Sequence, residues 1–206
     1  MTSATTSIRS DIPRAGVQGV AGGLLLMGFF TVLWGSWATA GVPLAAGIAI
    51  SVVFFAFALA FIVNGILLFV AARRFPVVPT DERRAKTRNI GARFGIIFGI
   101  EGVLIGVMSA ILGATGNDEY INGAIAVIVG LHFLPLAPVF DRTIDYYIGG
   151  WVVLAGIVGI VLIATGAVTV EQSWTIVSLA TAGGTTVYGI YMLLEKRRLV
   201  SGARHS

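Results

Sequence analysis

Three strongly polar side chains, an amide, a carboxyl and an imidazole, lie deep inside long apolar stretches of the sequence. They are Asn64, Glu101 and His132, and each is eight or nine residues from the charged end of its stretch. If the stretches are helices that cross a membrane, this spacing places all three ~12–14 Å from one boundary, near the middle of a ~30 Å hydrocarbon core. Tyr188 reaches the same depth in the last stretch. The sequence therefore predicts one layer of groups that can exchange protons or bind a solute.

The carboxyl of Glu101 is the most costly member of this layer. A charge at the centre of a bilayer costs at least about 2.5–3.5 kcal/mol, so the group must be protonated or paired and must face protein or water. His132 is the expected partner, because a loop of about six residues joins the two stretches and makes them antiparallel neighbours. The sequence predicts that Glu101 points into the bundle and meets His132.

Three interpretations of the layer remain open. The groups form a hydrogen-bonded network that only fixes helix register, or they line a pathway for a proton or a small solute, or they form the acid–base pair of an enzyme that acts on a lipid or quinone. The second gives the most concrete hypothesis, a small transporter or permease-like protein in which Glu101 exchanges protons and His132 shares the proton or binds the solute. The competing hypothesis is a non-catalytic structural or accessory membrane subunit.

Two prolines follow the histidine in the same apolar stretch. Pro135 and Pro138 cannot donate backbone hydrogen bonds, so they release the carbonyls near Leu131 and Leu134. Released carbonyls at membrane depth need internal partners or water. The sequence predicts a kinked or unwound segment, and with it a water-accessible pocket open to the cytoplasm.

We expect no cofactor and no bound metal. The chain has no cysteine, which excludes disulfides and thiolate-bound metals. Only two histidines are present, and His205 is in the terminal tail, so one chain cannot ligate a haem with two histidines. No G-x-S-x-G motif or Ser/His/Asp grouping indicates a nucleophile, and we assign no catalytic residue.

The residues around this histidine form a recognisable string. Ile100-Glu101-Gly102, the segment Leu-His-Phe-Leu-Pro-Leu-Ala at 131–137, and Tyr146-Tyr147 resemble a group of bacterial multi-pass membrane proteins. The resemblance covers about a third of the chain and implies no activity. It implies only that Glu101, His132 and Pro135 belong together.

The elements that must position these residues are membrane-spanning helices. The chain of 206 residues contains only 12% charged residues, about half the share of a soluble domain. Its mean hydropathy is +0.91. We predict an all-α integral membrane protein, a single domain in which six helices form a bundle, arranged either as three hairpins or as two inverted halves of three spans. The predicted spans are 15–38, 44–71, 94–114, 121–140, 148–168 and 174–194.

The charges set the orientation of this bundle. With six spans, all 14 Lys and Arg residues lie on one side, whereas the opposite loops carry only Asp118, Glu119 and Glu171 as charges. The positive-inside rule then places both termini in the cytoplasm, and we expect a bacterial inner membrane. The basic residues are explained by orientation, so we expect no nucleic-acid partner. The partners we expect are the bilayer and its anionic headgroups, with a small solute or a proton.

Three further segments carry expectations. Thr80–Arg93 is predicted to begin an interfacial helix, with Thr80 as its N-cap. The stretch 141–147 is interpreted as a solvated loop with interfacial tyrosines, and the alternative is a gate in which Arg142 pairs with Asp141 or Asp145. Ala38-Thr39-Ala40 has the form of a signal-peptidase site, although the apolar stretch before it is longer than a signal peptide requires. Cleavage there would leave five spans.

Glycine is abundant, with 27 residues, and two spans carry it in stripes. Such stripes allow the backbone of a neighbouring helix to approach closely. We therefore expect the third span to pack through its stripe, with Glu101 on another face, and the fourth span to pack through a weaker one. A homo-oligomer is compatible with the pattern. The stripe of the third span consists of Gly91, Gly95, Gly99, Gly102, Gly106 and Gly113, and that of the fourth of Gly123, Ala126, Gly130 and Ala137.

Overall fold

The computed structural model describes residues 14–75 and 81–202, with side chains described throughout except at 81–84, 86–87 and 198–202. Within these residues the chain is helical and contains no strand. Six α-helices follow one another in the order α1 Arg14–Trp37, α2 Leu44–Ala71, α3 Asp81–Ala114, α4 Ile121–Phe140, α5 Ile144–Ala164 and α6 Val170–Gly202. Short 3₁₀ turns follow α2 at Ala72–Arg74 and precede α4 at Asp118–Tyr120.

All six helices are long and apolar enough to cross a membrane. A span needs about 20 residues at 1.5 Å per residue, and the shortest helix, α4, has 20. The prediction of an all-α bundle of six transmembrane helices is confirmed. The predicted bounds of the second and fourth spans agree with α2 and α4, whereas α5 and α6 each begin four residues earlier than predicted.

The third helix begins well before its apolar part. It starts at Asp81, within the segment Thr80–Arg93 that was predicted to begin a helix, and it continues without a break to Ala114. Its 34 residues extend about 50 Å, so its first turns reach beyond a ~30 Å hydrocarbon core. The predicted N-cap, Thr80, lies outside the described residues.

The sixth helix is the most buried of the six spans, and four other helices pack against it. It packs against α1 and α5, with smaller contacts to α2 and α4. The apolar core around it includes Leu24, Trp34, Phe61 and Val177, each 1% exposed or less. The third helix is peripheral by comparison and packs mainly against α4.

The turns between helices collect at two ends of the bundle. At one end, the Gly41 amide donates a hydrogen bond to Thr175 Oγ1, and the indole of Trp174 donates one to the carbonyl of Glu119. At the other end, the Arg142 guanidinium contacts the sulfur of Met192 near the end of α6. We call the latter the basic end, since Arg73, Arg74, Arg142, Lys196 and Arg197 are placed there, and the former the acidic end.

The glycine stripes behave differently on the two helices. A Cβ added to Gly130 of α4 would lie 2.5 Å from the backbone nitrogen of Val153, and one on Gly156 of α5 would lie 2.6 Å from the carbonyl oxygen of Gly123. The predicted packing through α4 is therefore confirmed. The prediction for α3 is wrong within this chain, because most of its stripe faces outward and has no described atom within 4 Å of an added Cβ. This holds for Gly91, Gly95, Gly99, Gly102 and Gly106.

Candidate intramembrane site

The predicted carboxyl–imidazole pair forms between α3 and α4. Oε1 of Glu101 lies 3.2 Å from Nδ1 of His132, and the two side chains are 4% and 8% exposed. The pairing expected from their equal depth and the short connecting turn is confirmed. Glu101 is also the only buried residue in the membrane-crossing part of α3, so the carboxyl is the point at which this outer helix enters the protein interior.

The pair is close but incompletely hydrogen-bonded. Among the described residues, neither Oε2 of Glu101 nor Nδ1 of His132 has a hydrogen-bond partner of good geometry. A buried polar atom without a partner costs about 1–3 kcal/mol, and a full charge without one costs more. The arrangement therefore favours the pair sharing one proton, with the second oxygen of the carboxyl available to a further donor.

Aromatic rings enclose the imidazole of His132. The Phe98 ring of α3 meets it edge-on at 6.0 Å between centroids, and the ring of Phe133 lies 4.4 Å away. These contacts fix the plane of the imidazole and surround the carboxyl–imidazole pair with apolar carbon. Electrostatic interactions strengthen in such surroundings because the local dielectric is low.

Asn64 is not part of this pair. Its Oδ1 accepts a 2.7 Å hydrogen bond from Nζ of Lys196, and its Nδ2 donates to the carbonyl of Ala60 one turn earlier. It therefore joins α2 to α6, whereas the pair joins α3 to α4. The predicted single layer of four polar groups is wrong for Asn64, because equal depth does not fix the direction in which a side chain points.

Tyr188 connects the region of the pair to a group that the sequence interpretation placed in solvent. Its ring packs at 5.8 Å from that of Phe133, the neighbour of His132 along the chain. Its hydroxyl approaches the carboxyl of Asp145 in the first turn of α5. Asp145 is 0% exposed, so the interpretation of 141–147 as a solvated loop is wrong at this residue.

A sequence signal for Asp145 does exist. Its spacing of four residues to Gly149 and seven to Val152 places it on the face of α5 that packs inside the bundle. All three residues are buried on that face. The carboxyl could therefore have been recognised as internal from the register of α5.

The two prolines do not open a cavity. The backbone of α4 remains helical through Pro135 and Pro138, and both side chains are exposed on the outer surface of the bundle. The predicted unwound segment that lines a pocket is therefore wrong. The carbonyls that the prolines release belong to Leu131 and Leu134, which also lie on the exposed face.

A surface cavity of about 280 Å³ lies elsewhere, between α1 and α2. None of the four predicted polar residues lines it. Its lining is almost wholly apolar and includes Val32, Ser36, Ser51 and Phe55. Within the described part of the chain, no group of three or more His, Asp or Glu side chains is arranged to hold a metal ion.

Comparisons with family models, with curated proteins and with solved structures found no match for this chain.

Proposed function

We propose that this polytopic membrane protein is a small proton-coupled transporter in which Glu101 and His132 form the proton-exchange site. The supporting observation is the buried 3.2 Å contact between Oε1 of Glu101 and Nδ1 of His132, with the second carboxyl oxygen unpartnered among the described residues. Ionisable groups inside membrane spans are expensive, and they commonly mark proton relays or substrate pathways. A carboxyl that must be neutral or paired in one conformation can release its proton in another.

The position of the pair supports this role. Glu101 belongs to the peripheral helix α3, which packs mainly against α4, so the site lies at a contact between two helices and not at the centre of the bundle. A helix held by few neighbours can shift at low cost. A change in the protonation of the pair would therefore alter the contact between α3 and α4. A helix that can adopt two positions in this way is the kind of two-state element that alternating access requires.

The test is proton movement in proteoliposomes that contain a trapped pH-sensitive dye. An imposed membrane potential, alone and with added amino acids, sugars or organic cations, is expected to drive proton entry in the wild-type protein. Glu101→Gln should abolish this flux because the amide cannot exchange a proton, while the melting temperature stays within a few degrees of wild type. Glu119→Gln, at the acidic end, is the matched control and should retain the flux.

A second candidate function is that of a structural or accessory membrane subunit. Some polar contacts elsewhere in the bundle are hydrogen bonds that join two helices, such as Thr31 with Thr185 at 3.0 Å and Asn122 with Ser178 at 3.1 Å. The same experiment separates the two functions. In a structural protein, wild-type liposomes would conduct no more than protein-free liposomes, and Glu101→Gln would lower yield and melting temperature instead. That result would contradict the proposal that the protein is a transporter.

A further inference from the structure

A second buried carboxyl lies at the basic end of the bundle. Asp145, in the first turn of α5, is 0% exposed although the turn just before it, at 141–143, is largely exposed. The helix face that carries it packs against α4, where Phe133 approaches Gly149 closely. The carboxyl is therefore enclosed by protein on the inner side of α5 and does not lie among lipid headgroups.

The hydrogen bonds and ion pairs of this carboxyl are incomplete within the described part of the chain. Among the described residues, neither of its oxygens has a hydrogen bond of good geometry, and no basic nitrogen lies within 4.0 Å of them. The groups that face it are the Tyr188 hydroxyl from α6 and, at longer range, the Arg142 guanidinium from the turn before α5. From α4, the apolar Phe133 packs against Gly149, one turn further along α5. An ionised carboxylate in this position would lack the partners that a buried charge needs.

The guanidinium that could pair with Asp145 approaches the Tyr188 hydroxyl and also contacts two other groups. Nη1 of Arg142 lies 3.7 Å from the sulfur of Met192, and its guanidinium carbon is 5.3 Å from the centre of the Phe140 ring. Methionine sulfur is a weak acceptor and a cation–π contact contributes about 0.5–2 kcal/mol, so neither contact holds Arg142 firmly. A rotation of this one side chain would change the charge that Asp145 experiences.

The two buried carboxyls are linked by a row of rings. From Asp145 the Tyr188 hydroxyl leads to the ring of Phe133, 5.8 Å from that of Tyr188, and then to His132, 4.4 Å further on. His132 contacts Glu101 at 3.2 Å. Phe133 cannot carry a proton, so the row is a set of packing contacts and not an unbroken hydrogen-bonded chain.

We propose that Asp145 is a second proton-binding carboxyl, nearer the basic end than the Glu101–His132 pair, with Tyr188 as its hydrogen-bonding neighbour and Arg142 as the charge that favours proton release. Asp145 takes a proton from water at the basic end when Arg142 is turned towards Met192. It returns the proton when the guanidinium moves to the carboxylate, which leaves an ion pair. The assignment of Asp145 as a proton site stands on its own contacts, and its part in transport rests on the proposed function.

The test is an infrared titration of the purified protein in lipid, which follows the carbonyl stretch of protonated carboxyl groups in H₂O and in D₂O. Asp145→Asn is expected to remove one such band from the wild-type spectrum. Asp141→Asn is the matched control, because Asp141 is exposed and its left-handed backbone, with φ of 55°, accepts asparagine. Its spectrum should equal that of the wild type.

Two further variants keep the result interpretable if Asp145→Asn folds poorly. Tyr188→Phe should shift the frequency of the Asp145 band, because it removes the neighbouring hydroxyl. Arg142→Gln should move the titration midpoint of that band to higher pH, because the charge that favours the anion is gone. A wild-type spectrum in all three variants would overturn the proposal. Glu101→Gln should remove a different band. If the proposal for Asp145 is overturned in this way, the liposome result for Glu101 still stands, because it concerns another carboxyl.

Discussion

Hydroxyl groups join α6 to two of its neighbours. Thr185 donates to the carbonyl of Ala182 and can therefore accept the hydrogen of Thr31, whose oxygen is 3.0 Å away on α1. Ser173 donates to the carbonyl of Gly159 on α5 in the same way. Each bond fixes the register of two helices, but bonds of this kind contribute only about 0.6 kcal/mol on average inside membranes.

The Thr31–Thr185 bond should be measurable by a double-mutant cycle. We expect Thr31→Val and Thr185→Val to show a coupling free energy of about 0.6 kcal/mol and at most about 1.7 kcal/mol, since valine keeps the shape and removes the hydroxyl. Reversible unfolding in mixed micelles measures it. Thr181→Val is the control partner, because the Thr181 hydroxyl bonds only to the Val177 carbonyl of its own helix. Equal coupling in both cycles would contradict the assignment.

The contacts of a residue in a membrane helix depend on its depth in the membrane and on the direction of its side chain around the helix axis. The sequence predicts these two quantities unequally well. Depth follows from counting along the sequence, and it correctly brought Glu101 to the level of His132. The direction of a side chain around the helix axis also requires knowing which helices are neighbours. A six-residue connection supplied that knowledge for α3 and α4, but nothing local supplied it for Asn64, which meets Lys196 across 132 positions of the sequence.

At the scale of helices, α4 and α5 form the closest packed pair. The backbones approach so closely at Gly130 and Gly156 that an added Cβ would meet main-chain atoms at 2.5–2.6 Å. Main-chain atoms cannot move aside as the end of a flexible side chain can. The glycines of α3 show the opposite situation, with open space at Gly99 and Gly106.

Alanine substitutions should therefore have opposite effects on the two helices. We expect Gly130→Ala to destabilise the protein by about 1–3 kcal/mol, because overpacking forces α4 and α5 apart. Gly99→Ala should leave stability unchanged or raise it by up to about 1 kcal/mol, because alanine is the better helix former. Thermal unfolding in detergent compares them directly. A marked loss in Gly99→Ala would show that a partner covers the α3 stripe.

The glycine stripe of α3 is more regular than that of α4, yet only the second packs within this chain. A stripe of small residues permits close approach but does not determine which helix packs against it. The pairing depends on the whole set of helices. Here α5 has matching glycines, Gly149 and Gly156, that pack against α4, whereas no described helix packs glycines against the stripe of α3. The helices were predictable from composition, but their pairing was not.

For the whole molecule, the separation of charge between the two ends is the dominant feature. The turn at 115–120 includes Asp118 and Glu119, whereas the turn at 141–143, at the other end of α4, includes Arg142 beside Asp141 and lies at the same end as Arg73, Arg74, Lys196 and Arg197. The positive-inside rule predicts that the second turn faces the cytoplasm.

This orientation can be tested with single introduced cysteines, because the sequence has no native cysteine that would have to be removed first. Thr115→Cys and Thr143→Cys place single thiols at exposed positions of the two turns. In intact bacterial cells, a membrane-impermeant maleimide should label Thr115→Cys alone, and Thr143→Cys should react only in inverted vesicles. The reverse pattern would invert the proposed topology, and labelling of both in intact cells would show mixed insertion.

The burial of α6 has a consequence for biosynthesis. This helix is the least apolar of the six spans and is the last to leave the ribosome, and buried hydroxyls follow much of its length. Alone in lipid, it would expose those hydroxyls to hydrocarbon, so neighbouring helices stabilise it in the membrane. Since α1 and α5 provide most of its contacts, we expect the earlier spans to reach their final packing only after α6 has been synthesised.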